Sequence, residues 1–388
     1  MLLTTIVFIA VLSVLVFVHE LGHFWTARKF GVKAEEFGFG FPPRFCGWKK
    51  VNGKRKFFLG NKNAEEINSE DTIYSLNWVP LGGFVKIKGE DGEGKSDPDS
   101  FANKKIWQRS IILSAGVAMN VVLCMVALSL AFMIGAPQIL NEKTADMIVK
   151  DQKINVVSVL KGSPAAKAKL QLGDVVLNID GQSFSEIEQI QKYIAAKDKQ
   201  AVVIEVQRLD EKITATITPE ILTETKLPGL GVGLASTGIV SYPWYLSIWH
   251  GIRGTFFMAI QIIVAFATLI KNAVIGQPLG VDVSGPVGIA VMTGQVARMG
   301  FVYILQFTAL LSLNLAIINF LPFPALDGGR VLFLIIEKIR RRAINQKIEQ
   351  IVHSAGFALL ILLIFVVTGR DIFKFKDVFI NIWQKIVG

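Results

Sequence analysis

Residues 2–18 are apolar or small without interruption, and the run closes on His19-Glu20-Leu21-Gly22-His23. A helix over roughly residues 2–25 is long enough to cross a bilayer. Ionisable side chains inside such a segment find no water, and each costs several kcal/mol unless something binds it. Three of them within five residues mark a functional position. No Lys or Arg precedes Arg28, so the basic start of a secretory leader is missing. No clear small-residue cleavage site precedes the histidines either, and the segment is expected to be retained as a span.

Three further runs have bilayer length, at about residues 111–134, 301–321 and 351–368. They account for a chain of 388 residues that is 52% hydrophobic and only 19% charged. Lys and Arg crowd the stretch from 26 to 110 (Arg28, Lys29, Lys33, Arg44, Lys49, Lys50, Lys54, Arg55, Lys56) and recur at Lys338 and Arg340-Arg341-Arg342. The positive-inside rule puts both in the cytoplasm. The N-terminus then lies outside, and residues 135 to about 300 lie on the far side. A fifth apolar stretch, 252–271, breaks the parity, because a single crossing would carry the 338–342 basic loop outside. It is expected to lie on the membrane or to fold against the bundle. The net charge of +10 sits in loops flanking apolar segments. Membrane orientation explains that placement, and no nucleic-acid partner is expected. Cys46 and Cys124 read as isolated thiols.

Between the second and third spans the pattern changes to that of a soluble module. "GSPAAKAKL" starts a short helix, with Ser163 as cap before Pro164. "GDVVLNIDGQ" is a strand closed by an Asp-Gly turn, and "SFSEIEQIQKYI" has apolar residues at helical spacing. "QAVVIEVQR" and "KITATITPE" alternate as a final strand pair. The core "SPAAKAKLQLGDVVLNIDG" resembles a PDZ domain of the circularly permuted bacterial kind. It occurs once, so one PDZ domain is expected; such a domain receives an extended peptide on its sheet edge, or else serves as a steric filter.

On a helix, His19 and His23 are i and i+4 and project from one face. H-E-x-x-H in that setting is a zinc signature, with Glu20 as general base. A catalytic zinc site wants a third protein ligand. His250 and His353 are the other histidines, and both read as membrane-boundary residues. The better candidate is Asp327 in "NLAIINFLPFPALDGGR", where an apolar span breaks at two prolines. Irregular backbone at membrane depth is tolerated only where protein or a cavity lines it. Asp327 and the His19–His23 pair both fall at the cytoplasmic ends of their spans, so the two can meet. Pairing an unwound substrate strand with an enzyme edge would offset the hydrogen bonds its helix loses. "GFGFPP" (38–43) and "LGGFVKIKG" (81–89) are candidates for that edge, with Gly82 and Gly83 permitting close backbone approach.

Taken together, "HELGHFWTARKFGVKAEEFGFGFPP", "PLGGFVKIKGE", "SAGVAMN", "SGPVGIA" and "NFLPFPALDGGR", in that order around a PDZ core, resemble the site-2 protease family of intramembrane zinc metalloproteases. The RseP-like bacterial branch is the nearest match. The resemblance implies Zn2+ held by His19, His23 and Asp327, Glu20 as the catalytic base and acid, and Asn319 as a group that holds substrate or stabilises the oxyanion. It departs from the family pattern where Gly116-Val117 replaces a Gly-Pro and where one PDZ domain replaces two.

The expected architecture is an α-helical polytopic membrane protein with about four transmembrane helices, membrane-associated β-hairpin elements and one α+β PDZ domain. Residues 1–135 would form the first membrane half, 136–225 the extracytoplasmic PDZ domain, 226–300 a linker and membrane-surface helix, and 301–388 the second membrane half. The expected activity is an endopeptidase of the bacterial plasma membrane, acting near its cytoplasmic side on single-span membrane proteins of the anti-sigma-factor or signal-peptide-remnant type. The competing readings are a catalytically dead adaptor working through its PDZ domain and a zinc transporter. Intact Glu20 weighs against the first. The concentration of ionisable groups at one depth weighs against the second.

Overall fold

The computed structural model describes residues 2–51, 54–60, 71–90, 94, 96–140, 147–160, 162–197, 200–208, 211–221, 228–277, 285–342 and 344–374. Ser284 of the "SGPVGIA" motif and the C-terminal 375–388 lie outside them. The chain forms two compact units, Met1–Leu130 with Ile248–Gly388, and Ala131–Ser247.

The first unit opens with α1 (Leu2–Lys29), which ends where Gly31 takes a positive φ of 65°. Three strands follow, β1 (Ala34–Val51), β2 (Lys54–Leu59) and β3 (Ile73–Ile87), in the sheet order β2-β1-β3. Glu36 pairs with both Lys86 and Ile73, so the start of β1 is flanked by the two ends of β3. Residues 83–87 therefore form a sheet edge. Phe24, Ala34 and Phe37 bury this sheet against α1. Phe39, Phe41, Phe45, Leu76 and Trp78 stay exposed and give this sheet an apolar rim.

A short 3-10 turn (Phe101–Asn103) leads into α2 (Ile106–Ile134). After the second unit the chain returns as α5 (Trp244–Ile275), α6 (Pro286–Met299), α7 (Phe301–Phe320), α8 (Asp327–Arg340) and α9 (Gln346–Lys374). Close contacts fix the directions of these helices. His23 meets the Ile112 carbonyl and His19 meets Asn120, so α2 runs antiparallel to α1. A Cβ on Gly294 of α6 would touch Thr4, and Asp371 of α9 accepts hydrogen bonds from Gly285 and Gly288. Those residues mark the end of the bundle opposite the His19–Asp327 contact. Hence α1 and α7 run one way and α2 and α9 the other, an alternating four-helix arrangement.

Among the described residues five helices are able, by length and composition, to cross a membrane, one more than the four expected, and α5 is the addition. It is one continuous helix of 32 residues, longer than the 252–271 stretch read from hydropathy. It touches α2 at Gly251–Ser129 and Thr255–Cys124, running antiparallel to it. None of the most apolar 18-residue stretch of α5 is buried by the chain.

The second unit carries β4 (Ala136–Ile139), β5 (Ile148–Val159), α3 (Pro164–Lys167), β6 (Val175–Ile179), α4 (Ile187–Lys197), β7 (Val202–Arg208), β8 (Glu211–Ile217), β9 (Glu220–Ile221), β10 (Pro228–Gly229) and β11 (Val232–Ser241). Six strands form one antiparallel sheet in the order β4-β11-β5-β6-β7-β8. Ser163 caps α3, accepting from the Ala166 N–H at 3.2 Å, with Pro164 next to it. Asp180 and Gly181 make the expected turn, both with positive φ. Ile190 and Ile194 of α4 pack on Ile179, Val202, Ile204 and Val206. The elements expected of a PDZ core are thus present. The unit is wider than 136–225, because β11 pairs with β5 (Val232 opposite Val159).

Candidate active site

The end of α1 carries His19, Glu20 and His23, and the break between α7 and α8 carries Asp327. The break is built from local chemistry. Leu321 leaves α7 in an extended conformation, Ala325 takes φ 77°, and Leu326 is the extended cap of α8. Asp327 thereby becomes the first residue of α8. Gly328 and Gly329 follow because a Cβ on either would strike the carbonyls of Phe320, Leu321 or Phe323.

His19 Nε2 and His23 Nε2 are 3.2 Å apart. Asp327 Oδ2 lies 3.1 Å from the first and 3.4 Å from the second. Both imidazoles are buried. Asp327 Oδ2 is itself a buried oxygen without a hydrogen-bond partner. Among the described residues these three form a cluster that could hold a metal ion. At zinc bond lengths near 2.0–2.1 Å, neighbouring ligand atoms of a tetrahedral site lie about 3.3 Å apart. Two imidazoles and a carboxylate at that spacing, with an otherwise orphaned oxygen, fit zinc.

The outer nitrogens of the two rings meet different partners. His23 Nδ1 is 2.9 Å from the Ile112 carbonyl, and His19 Nδ1 is 3.2 Å from the Asn120 amide. Both partners belong to α2, which reaches the site because of two glycines. A Cβ on Gly116 would sit 2.7 Å from His19 Cε1 and closer still to His23 Nε2. A Cβ on Gly22 would run into the Ala115 carbonyl and, at 2.8 Å, Met119 Cγ. Ile112, Gly116 and Asn120 fall at i, i+4 and i+8, one stripe of α2. Its polar amide inside an apolar span is the signal of Asn120 that the sequence carries.

Glu20 Oε2 accepts the Val85 N–H at 3.2 Å, which ties the carboxylate to the 83–87 edge. Gly82 (φ 87°) abuts Val16, and Gly83 abuts the Gly38 carbonyl and Phe17. The close backbone approach these glycines allow is therefore that of β3 to α1 and β1. Ser13 reinforces it by donating to the Pro80 carbonyl at 2.7 Å. Asn319 stands half-buried in the last turn of α7. His353 of α9 accepts the Ala325 N–H through Nδ1 at 2.9 Å and so braces the Asp327 loop. His250 lies on α5, and neither histidine joins the cluster. Glu90 and Arg330 form an ion pair that links the end of β3 to α8, and Arg109 pairs with Glu337 at 3.4 Å.

The sequence profile of peptidase family M50 matches residues 7–60 and 54–363. A Clostridium perfringens protein named as a zinc metalloprotease is 34% identical over 362 residues, covering 93% of this chain and 96% of the relative. The regulator of sigma-W protease RasP of Bacillus subtilis is 28% identical over 454 residues, covering 95% and 98%. Among solved structures, the PDZ domain of an SdrC-like protein from Listeria monocytogenes is 29% identical, covers 24% of this chain and 92% of its own, and has a TM-score of 0.20.

Proposed function

The chain belongs to peptidase family M50 and is a zinc intramembrane protease, and on that premise we propose that it cuts single-span membrane proteins beside or within their spans, with His19, His23 and Asp327 holding the zinc and Glu20 moving the proton. The observation that carries this reading is the set of three ligand atoms 3.1–3.4 Å apart at the ends of helices long and apolar enough to cross a membrane. Anti-sigma factors and signal-peptide remnants are the substrate types proposed.

Zinc supplies Lewis acidity, lowering the pKa of water toward about 7 and polarising the scissile carbonyl. Glu20 takes the proton from the attacking water and returns it to the leaving amine. The Val85 N–H holds that carboxylate beside the 83–87 edge, where an unwound substrate segment adds as a further strand. Such pairing satisfies backbone groups that have no other partner at membrane depth. Asn319 then contacts the bound segment from α7. The PDZ unit, with β8 at one edge of its sheet, takes an extended peptide or screens bulky substrates.

Orientation follows from the charges. Arg28 and Lys29 at the end of α1 and Lys338 to Arg342 around the end of α8 lie at the site's end of the bundle. That end faces the cytoplasm of a bacterial plasma membrane, and the PDZ unit faces outward.

The test is cleavage of a reconstituted single-span reporter lacking its outer domain, by parent and by Glu20→Gln, with zinc measured in both. The expected result is a Glu20→Gln protein that keeps its zinc and loses cleavage by at least about a hundredfold, the scale of general-base removal. Equal cleavage by the two sinks the assignment.

A further inference from the structure

We propose that Asn120 is a positioning residue that sets the tautomer of His19, with its side-chain oxygen accepting the ring's Nδ1–H. The inference rests on His19, His23 and Asp327 as the zinc site. To give a lone pair from Nε2, each imidazole must carry its proton on Nδ1. His23 meets that need through the Ile112 carbonyl at 2.9 Å, which can only accept. His19 Nδ1 faces Nδ2 of the Asn120 amide at 3.2 Å. With Nδ1 protonated, that sense sets one N–H against another. Amide oxygen and nitrogen are told apart by their hydrogen bonds and not by their shape. Nothing holds the amide in that sense, because Asn120 Oδ1 is buried without a partner. Reversed, the amide gives His19 the same kind of outer acceptor that His23 has.

Three further observations favour a built arrangement. Asn120 is fully buried in the middle of an apolar span, where an amide is costly unless it has a role. Ser312 of α7 donates to the Asn120 backbone carbonyl at 2.8 Å and fixes that turn of α2. Gly116, one turn earlier, lets α2 come close enough for the contact. Outer partners of metal-bound histidines orient the ring and raise its basicity, and losing one typically weakens metal binding 10- to 100-fold.

The experiment uses zinc-loaded, detergent-purified full-length protein and reads zinc loss to a competing chelator, with thermal unfolding of each metal-free form as a check on folding. Asn120→Leu, and Asn120→Ala should the larger residue not pack, are expected to bind zinc 10- to 100-fold more weakly while their metal-free unfolding stays near the parent's. Asn120→Asp, which keeps the acceptor and discards the donor, is expected to hold zinc within a few-fold of the parent. Equal weakening in Asp and Leu, or parent-like binding in Leu and Ala, overturns the acceptor role. His23→Ala is the control for the site itself. If that variant keeps its zinc, the ligand assignment has failed, an outcome distinct from the failure of Asn120 alone.

Discussion

Gly116 faces His23 so closely that no side chain fits between α2 and the imidazole pair. The Ile112 carbonyl and Asn120 reach the outer nitrogens of the two rings only at that separation. Gly116→Ala therefore pushes α2 away or turns the rings. Overpacking of this kind costs about 1–3 kcal/mol. The expected outcome is a lowered unfolding temperature together with less than one zinc per chain by metal analysis. Full zinc with a parent-like unfolding temperature means that the helices part without disturbing the site.

A second close relationship lies at the opposite end of the bundle. Asp371 Oδ2 accepts from the Gly285 and Gly288 N–H groups at 2.8 and 2.7 Å, and Asp371 is buried. These are among the donors that the first turn of α6 cannot satisfy within the helix. Asp371→Ala leaves both unpaired, at about 1–3 kcal/mol for each group. Thermal unfolding of the full chain should drop clearly for Asp371→Ala and less for Asp371→Asn, which keeps one acceptor. The two variants unfolding alike would deny the carboxylate its role.

The contrast between these two ends explains what the sequence revealed. His19, Glu20 and His23 are legible because helical spacing and an apolar setting lie within five residues. Asp327 is legible because prolines and a Gly-Gly pair announce the broken span. Asn120 was not, since its partner is 101 positions away and a lone amide says nothing about which ring it will meet. Residues 232–241 escaped as a strand because "VGLASTGIVS" lacks alternation, and β5 supplies its pairing from a distance. The hydropathy of 252–271 identified only part of α5, because His250 and Gly251 bound the apolar run before it and Asn272 after it, while the helix continues through them.

Acid sensitivity of the PDZ unit follows from Asp174. Arg208 donates to its two oxygens at 2.7 and 2.8 Å, and the Gln171 N–H adds a third bond at 2.8 Å. The guanidinium outweighs the opposing effect of burial, and the backbone bond assists it, so the folded carboxyl sits below its ordinary value. A depressed folded pKa means that the unfolded chain binds the proton more readily. The stabilisation is therefore complete well above the unfolded value of about 3.9 and fades as pH falls below it. Amide-exchange protection of residues 162–208 in the full chain, corrected for intrinsic rates, should fall between pH 5 and pH 3 (about one unit either side of the unfolded value). Arg208→Met, which removes the depression, should start from lower protection and show a smaller fall across that window. An unchanged profile in the variant would assign the acid sensitivity to another group.

The loop that presents Asp327 is braced from outside the cluster. The Ala325 N–H donates to His353 Nδ1 at 2.9 Å, two residues before Asp327, and Gly356 of the same helix lies against Pro324. His353→Leu keeps a side chain of similar bulk but removes the acceptor. The stranded N–H costs about 1–3 kcal/mol and loosens the turn at Ala325, whose φ of 77° depends on its surroundings. Zinc should then be released to a chelator faster than from the parent. His353→Asn, whose amide oxygen can accept in place of Nδ1, should recover part of the difference. Identical release from the Leu variant and the parent would show that α8 and its glycine contacts hold Asp327 without the histidine.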